Sequence, residues 1–239
     1  RQRQMCIRDS ISFTANPGET TAIIGSTGCG KSSLLNLIPR FYDVTSGSVT
    51  VDGVDVRQMP QSTLRGLLGY VPQKGVLFSG TVSENLTFGS TGISRERVEQ
   101  AARIAQAEDF ILEREEGYDS DIAQGGTNVS GGQKQRLSIA RAVAKDPEIY
   151  IFDDSFSALD FKTDAAVRSA LNDAARDATV LIVAQRISTV MHAEQILVLD
   201  DGRLVGKGTH AQLMRDCEVY RQIAMSQLSK EELENGTQA

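Results

Sequence analysis

The chain has 239 residues, with 25 Lys and Arg against 31 Asp and Glu, a formal net charge of −6 and a pI near 5.1. That length suits one large α/β domain or two small ones, and the acidic balance argues against a nucleic-acid partner, which would call for a basic stripe. Forty per cent apolar residues suit a packed core, and no run approaches the roughly 18 continuous apolar residues of a membrane span.

Residues 1–9 show no strand alternation and join abruptly to Ile11-Ser12-Phe13, which does alternate. They resemble translated sequencing-adapter read-through, so the native sequence is expected to begin near Ser10 and to continue upstream; a genuine basic tail is the alternative. Thr20–Ile24 is a short apolar run ending at a glycine loop, and Ser32–Ile38 has helical spacing closed by Pro39. Ser48–Val51 with Asp52-Gly53 predicts a strand and turn, and Leu67–Val71 a buried strand stopped by Pro72. Helical spacing recurs over 94–114 and 131–144. Ile149–Phe152 predicts a strand, about 162–175 a helix, and Thr179–Val183 another strand. Ile196–Leu199, Asp201-Gly202 and Arg203–Val205 predict a hairpin, and a polar tail runs over 229–239. Alternating strands and helices imply an α/β fold with a mostly parallel sheet, antiparallel β elements and helices on both faces. The helix-rich stretch 72–145 reads as an inserted helical subdomain. Cysteines at 6, 29 and 217 show neither metal-ligand nor disulfide-framework spacing, and a reduced compartment is the simpler reading.

Gly25-Ser26-Thr27-Gly28-Cys29-Gly30-Lys31-Ser32 fits the phosphate-binding loop G-x-x-x-x-G-K-[ST], between a strand and a helix. Its glycines let backbone N–H groups converge on phosphate oxygens, and the following helix, from Ser32-Ser33, adds its dipole. Lys31 would reach the β- and γ-phosphates, and Ser32 would place its hydroxyl on Mg²⁺. Phe152-Asp153 after an apolar strand has the form of a carboxylate that organises Mg²⁺.

With these stand Gln73 in Tyr70-Val71-Pro72-Gln73, the run Ser130-Gly131-Gly132-Gln133, and Ser157-Ala158-Leu159-Asp160. In that order and spacing the set resembles the nucleotide-binding domain of an ABC transporter, with a P-loop NTPase core, over residues 10 to about 226. Leu77–Leu86 after the Q-loop is similar to the exporter type. The resemblance implies ATP and Mg²⁺ as ligands, a transmembrane domain as partner, and a place at the cytoplasmic face of the membrane. It also implies head-to-tail pairing with a second nucleotide-binding domain, the Ser130–Gln133 signature contacting the partner's ATP. Gln73 would sense Mg²⁺ and the attacking water. Ser130 as an ordinary helix cap is the plainer reading of that serine.

Departures from the family pattern decide the finer reading. Asp154 stands where the family places a catalytic Glu, a carboxylate shortened by about one C–C bond. Gln185 stands where a His contacts the γ-phosphate, and Gln carries neither a proton nor charge near neutral pH. Gln124 replaces a common Glu, and Val129 the usual Leu. The aromatic residue that stacks on adenine in the family is expected upstream of the native residues present. His192 and His210 read as solvated or structural, and Cys29 occupies a variable loop position. Together these features resemble the degenerate half of a heterodimeric exporter, an ATPase with a slow site of its own and a signature that completes the partner's. An active homodimer, a regulatory ATP-binding module and an ABC ATPase of DNA repair or translation are the alternatives. The cargo is not legible in these residues.

Overall fold

The computed structural model describes residues 11–227. The expectations for residues 1–9 and for the tail 229–239 lie outside the described residues.

In chain order the elements open with β1 (Thr20–Gly25), α1 (Lys31–Leu35), β2 (Thr50–Val51) and β3 (Val54–Asp55), then α2 (Gln61–Gly66), β4 (Leu68–Val71), β5 (Gly80–Thr81) and α3 (Val82–Thr87). They continue with α4 (Arg95–Ile104), α5 (Glu108–Leu112), β6 (Asp121–Ile122), α6 (Gly131–Ala144), β7 (Ile149–Asp153) and α7 (Phe161–Ala174). The last are β8 (Thr179–Val183), α8 (Ile187–Val190), β9 (Gln195–Asp200), β10 (Arg203–Gly208), α9 (His210–Asp216) and α10 (Glu218–Gln227).

Six strands form one sheet in the order β10-β9-β1-β8-β7-β4, parallel throughout except for β10, which pairs antiparallel with β9 at the edge. The fold is α/β, as the alternation of strands and helices predicts. Successive side chains on a strand face opposite ways, and β1 shows it: Ala22 and Ile24 join one core cluster, Ile23 the other. Ile23 packs with Leu35 of α1 and Leu64 of α2, while the opposite face buries Leu137 and Ile139 of α6 and Val167 of α7. Each large aliphatic or aromatic side chain so buried contributes about 1.5–3 kcal/mol against exposure.

Two helices differ from the sequence expectation. The helix after the glycine loop ends at Leu35 rather than Ile38. Leu37 and Ile38 donate to Leu34 and Leu35 in tighter i→i−3 bonds, because Pro39 disfavours helical geometry at the residue before it. The helical stretch 94–114 divides into α4 and α5 at Gln106, whose φ is +53°. The bond from Ala107 N to Ala102 O, 2.7 Å, closes the end of α4 there. By contrast α6 spans the expected 131–144, since Ser130 and Gln133 cap it reciprocally.

Helix α6 also anchors the segment that follows β4. Buried Gln135 accepts from Gly75 N at 2.9 Å and donates to Pro72 O at 3.1 Å. The order β1-β8-β7-β4 has a direct consequence for function. The loops after these four neighbouring parallel strands leave the sheet at the same carboxyl edge, where open α/β sheets bind ligands.

Candidate functional site

The phosphate-loop sequence leaves the end of β1. Gly25 pairs with Leu199 of β9, and a Cβ there would lie 2.0 Å from the Leu199 carbonyl oxygen. Only a residue without a side chain fits that approach. At Gly28, exposed and with φ +84°, a Cβ would meet no atom within 4 Å. Lys31 is buried, with Nζ donating to Gly25 O and Ser26 O, both at 2.8 Å. Those two carbonyls satisfy a buried ammonium that would otherwise be costly. Cys29 is buried too, its Sγ 3.7 Å from Lys31 Nζ. Ser26 and Thr27 are exposed, and Gly30 and Ser33 are half-buried.

At the end of β7, the Asp153 Oδ1 atom accepts a 2.7 Å bond from the Ser32 hydroxyl. The next residue turns back sharply: Asp154 has φ +50° and donates its N–H to Val183 O of β8 at 2.9 Å. That turn carries its side chain into a buried position between the loops after β4 and β8. One oxygen, Oδ2, accepts from Gln185 Nε2 at 2.7 Å and from Gln73 Nε2 at 3.0 Å. Burial pushes the Asp154 pKa above the ordinary aspartate value of 3.8, and the two amides and the Lys31 charge oppose that rise. Gln185 is thus docked on a carboxylate by a neutral donor.

The signature residues lie apart from this cluster. No side-chain hydrogen bond among the described residues joins Ser130, Gly131, Gly132 or Gln133 to residues 25–33. Ser130 Oγ accepts from Gln133 N at 3.2 Å, and Gln133 Oε1 from Ser130 N at 2.9 Å. A Cβ on Gly131 would meet nothing, and one on Gly132 would sit 3.6 Å from Ala158 O. The 157–160 turn is braced by Arg186, which donates to Ser157 O and Leu159 O at 3.2 Å and lies 4.8 Å from the exposed Phe161 ring.

Of the two histidines, His210 is buried with Nδ1 2.7 Å from Tyr220 Oη, and burial lowers its pKa; His192 is exposed. Both lie outside the cluster. Sequence reasoning passed over Tyr70 and Asn36: the Tyr70 hydroxyl lies 3.1 Å from Asn36 Oδ1 and 3.4 Å from Asp153 Oδ2. Alternation along β4 would have put Tyr70 and Leu68 on the face that holds α1, which is a usable signal.

The residues present fit a Mg-nucleotide. A backbone cradle open at Gly28, a buried lysine, and a hydroxyl–carboxylate pair together match what phosphate and Mg²⁺ demand, since Mg²⁺ takes one or two carboxylates plus phosphate oxygens.

Comparison with known proteins agrees. Residues 8–157 match the family described as ABC transporter. An uncharacterized ABC transporter ATP-binding protein of Mycobacterium bovis is 50% identical over 224 residues, covering 92% of this chain and 38% of that protein. Another from Bacillus subtilis is 46% identical over 222 residues, covering 93% and 38%. A Staphylococcus aureus protein, provisionally named a multidrug export ATP-binding/permease protein, is 43% identical over 217 residues, covering 91% and 38%. Among solved structures, a bacterial Atm1-family ABC exporter with ATP bound superposes with a TM-score of 0.88 at 40% identity, covering 92% of this chain and 39% of that one. The chain therefore spans well under half the length of the relatives it matches.

Proposed function

The chain belongs to the ABC transporter family, and from that premise we propose that it is the ATP-binding, ATP-hydrolysing unit of a membrane exporter, slow at its own site. On this reading residues 10–228 form the nucleotide-binding domain, with 72–145 as its helical subdomain. Gly25 to Ser33 bind the phosphates of ATP, Lys31 foremost, and Ser32, Asp153 and Gln73 serve Mg²⁺, which neutralises phosphate charge when bound. Asp154 takes the place of the general base and Gln185 of the γ-phosphate contact.

The observation that carries the reading is the docking of Gln185 and Gln73 on one Asp154 oxygen, at 2.7 and 3.0 Å. A carboxylate one methylene short, held by two amides, is drawn back from the position of an attacking water. Misplacement by about 1 Å can cost 10²-fold in rate. Gln185 supplies neither proton nor positive charge to a developing transition state. The signature has no such departure: Ser130 keeps its capping bond while the space above Gly131 is open. The domain accordingly pairs head to tail with a second domain bearing Glu and His, and its Ser130–Gln133 segment completes that partner's site.

The transmembrane partner is the other half of the proposal. Among the described residues no helix is long and apolar enough to cross a membrane. An aromatic face is exposed instead: Phe78 and Phe88 stack at 4.0 Å, both under the Arg141 guanidinium, and Phe41 and Tyr42 are exposed as well. Such a face suits contact with a membrane domain, and on this reading the unit works at the cytoplasmic side of the membrane.

The test is complementation. Mixing this domain with an ABC half that carries Glu and His should raise ATPase above that of the partner alone, and Ser130→Glu should abolish the gain. Absence of any gain would overturn the heterodimer reading.

A further inference from the structure

We infer that Tyr70 is a positioning residue for the Asp153 carboxylate and, through it, for the divalent cation that accompanies the nucleotide. The inference rests on the Mg-ATP reading of this site.

The two oxygens of Asp153 face different elements. Oδ1 takes the Ser32 hydroxyl from α1 at 2.7 Å, and Oδ2 lies 3.4 Å from the Tyr70 hydroxyl on β4. That hydroxyl is also 3.1 Å from Asn36 Oδ1. The one phenol proton has two acceptors in reach, Asn36 Oδ1 at 3.1 Å and Asp153 Oδ2 at 3.4 Å, and a carboxylate is the stronger acceptor. With the Asn36 amide turned over, its NH₂ would donate to the phenol oxygen and leave the phenol proton for Asp153; oxygen and nitrogen ends are nearly isosteric. A relay results, from Asn36 at the end of α1, through Tyr70, to Asp153 at the end of β7.

The ring is held for this purpose. Tyr70 sits opposite Ile151 in the β4–β7 ladder, and Phe41 packs edge-on against it at 5.5 Å and 83°. Burial, and then the Asp153 charge, push the phenol pKa above its usual value. At 3.4 Å the contact is longer than an ordinary O–H···O bond, as hydrogen bonds at such sites often are before the ligand arrives. A cation on the Ser32 hydroxyl oxygen leaves its proton free to donate to Asp153 Oδ1, and Tyr70 would add a second hold at Oδ2 that fixes the rotation of the carboxylate.

The test is binding of a fluorescent ATP analogue to the full chain, with Mg²⁺ titrated in and with EDTA, for wild type and Tyr70→Phe. Phe keeps the ring packing and removes only the hydroxyl. Affinity in EDTA should be unchanged, while the gain on adding Mg²⁺ should shrink about three- to tenfold, the range for one hydrogen bond. Asn36→Ala should act in the same direction, more weakly. In an Asp153→Asn background Tyr70→Phe should add nothing. A full Mg²⁺ gain in Tyr70→Phe, or equal losses with Mg²⁺ and with EDTA, would overturn the assignment. Absence of any Mg²⁺ gain in wild type would overturn the Mg-ATP reading and this inference with it.

Discussion

Gly25→Ala separates glycines that the backbone needs from glycines that a ligand needs. The new Cβ would lie 2.0 Å from Leu199 O and 2.9 Å from Cys29 Sγ, whereas ordinary contact starts at 3.4 Å. Relief requires β1 and β9 to part by about 1.4 Å at Gly25–Leu199, the difference between 2.0 and 3.4 Å. Overpacking of that kind costs about 1–3 kcal/mol, and each ladder bond lost about 1 kcal/mol more. The sum is roughly 2–5 kcal/mol, which for a chain of this size lowers Tm by about 4–20 °C. Gly28→Ala meets no neighbour and carries only the strain of φ +84°, about 1–2 kcal/mol or roughly 2–8 °C. Its methyl group would stand on the phosphate loop itself, where the proposed nucleotide seats, so it should lose ATP affinity out of proportion to its stability. Thermal unfolding followed by circular dichroism, with ATP titrations on the same samples, checks both. Gly25→Ala melting within about 2 °C of wild type, or Gly28→Ala proving the less stable of the two, would refute the reasoning.

Three further changes have definite outcomes. Ser130→Ala removes the cap of α6 and should cost about 0.5–2 kcal/mol in urea unfolding, with ATP binding by the domain's own loop unaltered in the same samples. Asp154→Asn removes a charge whose burial raises its pKa in the folded state. Wild-type stability from this group is greatest at acid pH and is lost as pH rises through that raised pKa. The Asn variant should therefore melt higher than wild type at neutral pH, and the gap should close as pH falls toward 3.8, the ordinary aspartate value. Arg141→Met leaves the Val76 and Asn85 carbonyls, now bonded at 2.9 and 2.7 Å, without a donor and uncovers Phe78 and Phe88. Denaturant titration should show a loss of about 2–4 kcal/mol.

Local signals made much of this molecule legible. A strand that ends in glycines marked the phosphate loop, Ser130 with Gln133 fixed the start of α6, and Asp201-Gly202 marked the β9–β10 hairpin. Where local rules compete, the reading slipped. Proline shortened α1, and the positive φ of Gln106 cut one helical stretch into two, because periodicity alone does not reveal a backbone reversal. The contacts of Asp154 were beyond local reach. Gln185 is 31 residues away and Gln73 is 81, and they meet only because β4, β7 and β8 are neighbours in the sheet. Strand alternation predicts a parallel sheet but not its order, so Gln185 was legible as a missing histidine and not as a donor to Asp154. The face that Tyr70 takes was open to strand alternation, but its nearness to Asp153 depends on the pairing of β4 with β7.

The most direct test of the account is steady-state ATPase of wild type beside Asp154→Glu/Gln185→His and each single variant, with Mg-ATP binding measured on every sample. The account predicts binding without appreciable turnover in wild type and activity restored by the double variant. It predicts a partial gain from Asp154→Glu alone, which restores the missing methylene, and the full gain only when Gln185→His is added. Ready turnover by wild type, not raised by the double variant, would make Asp154 an adequate base and contradict the slow-site reading.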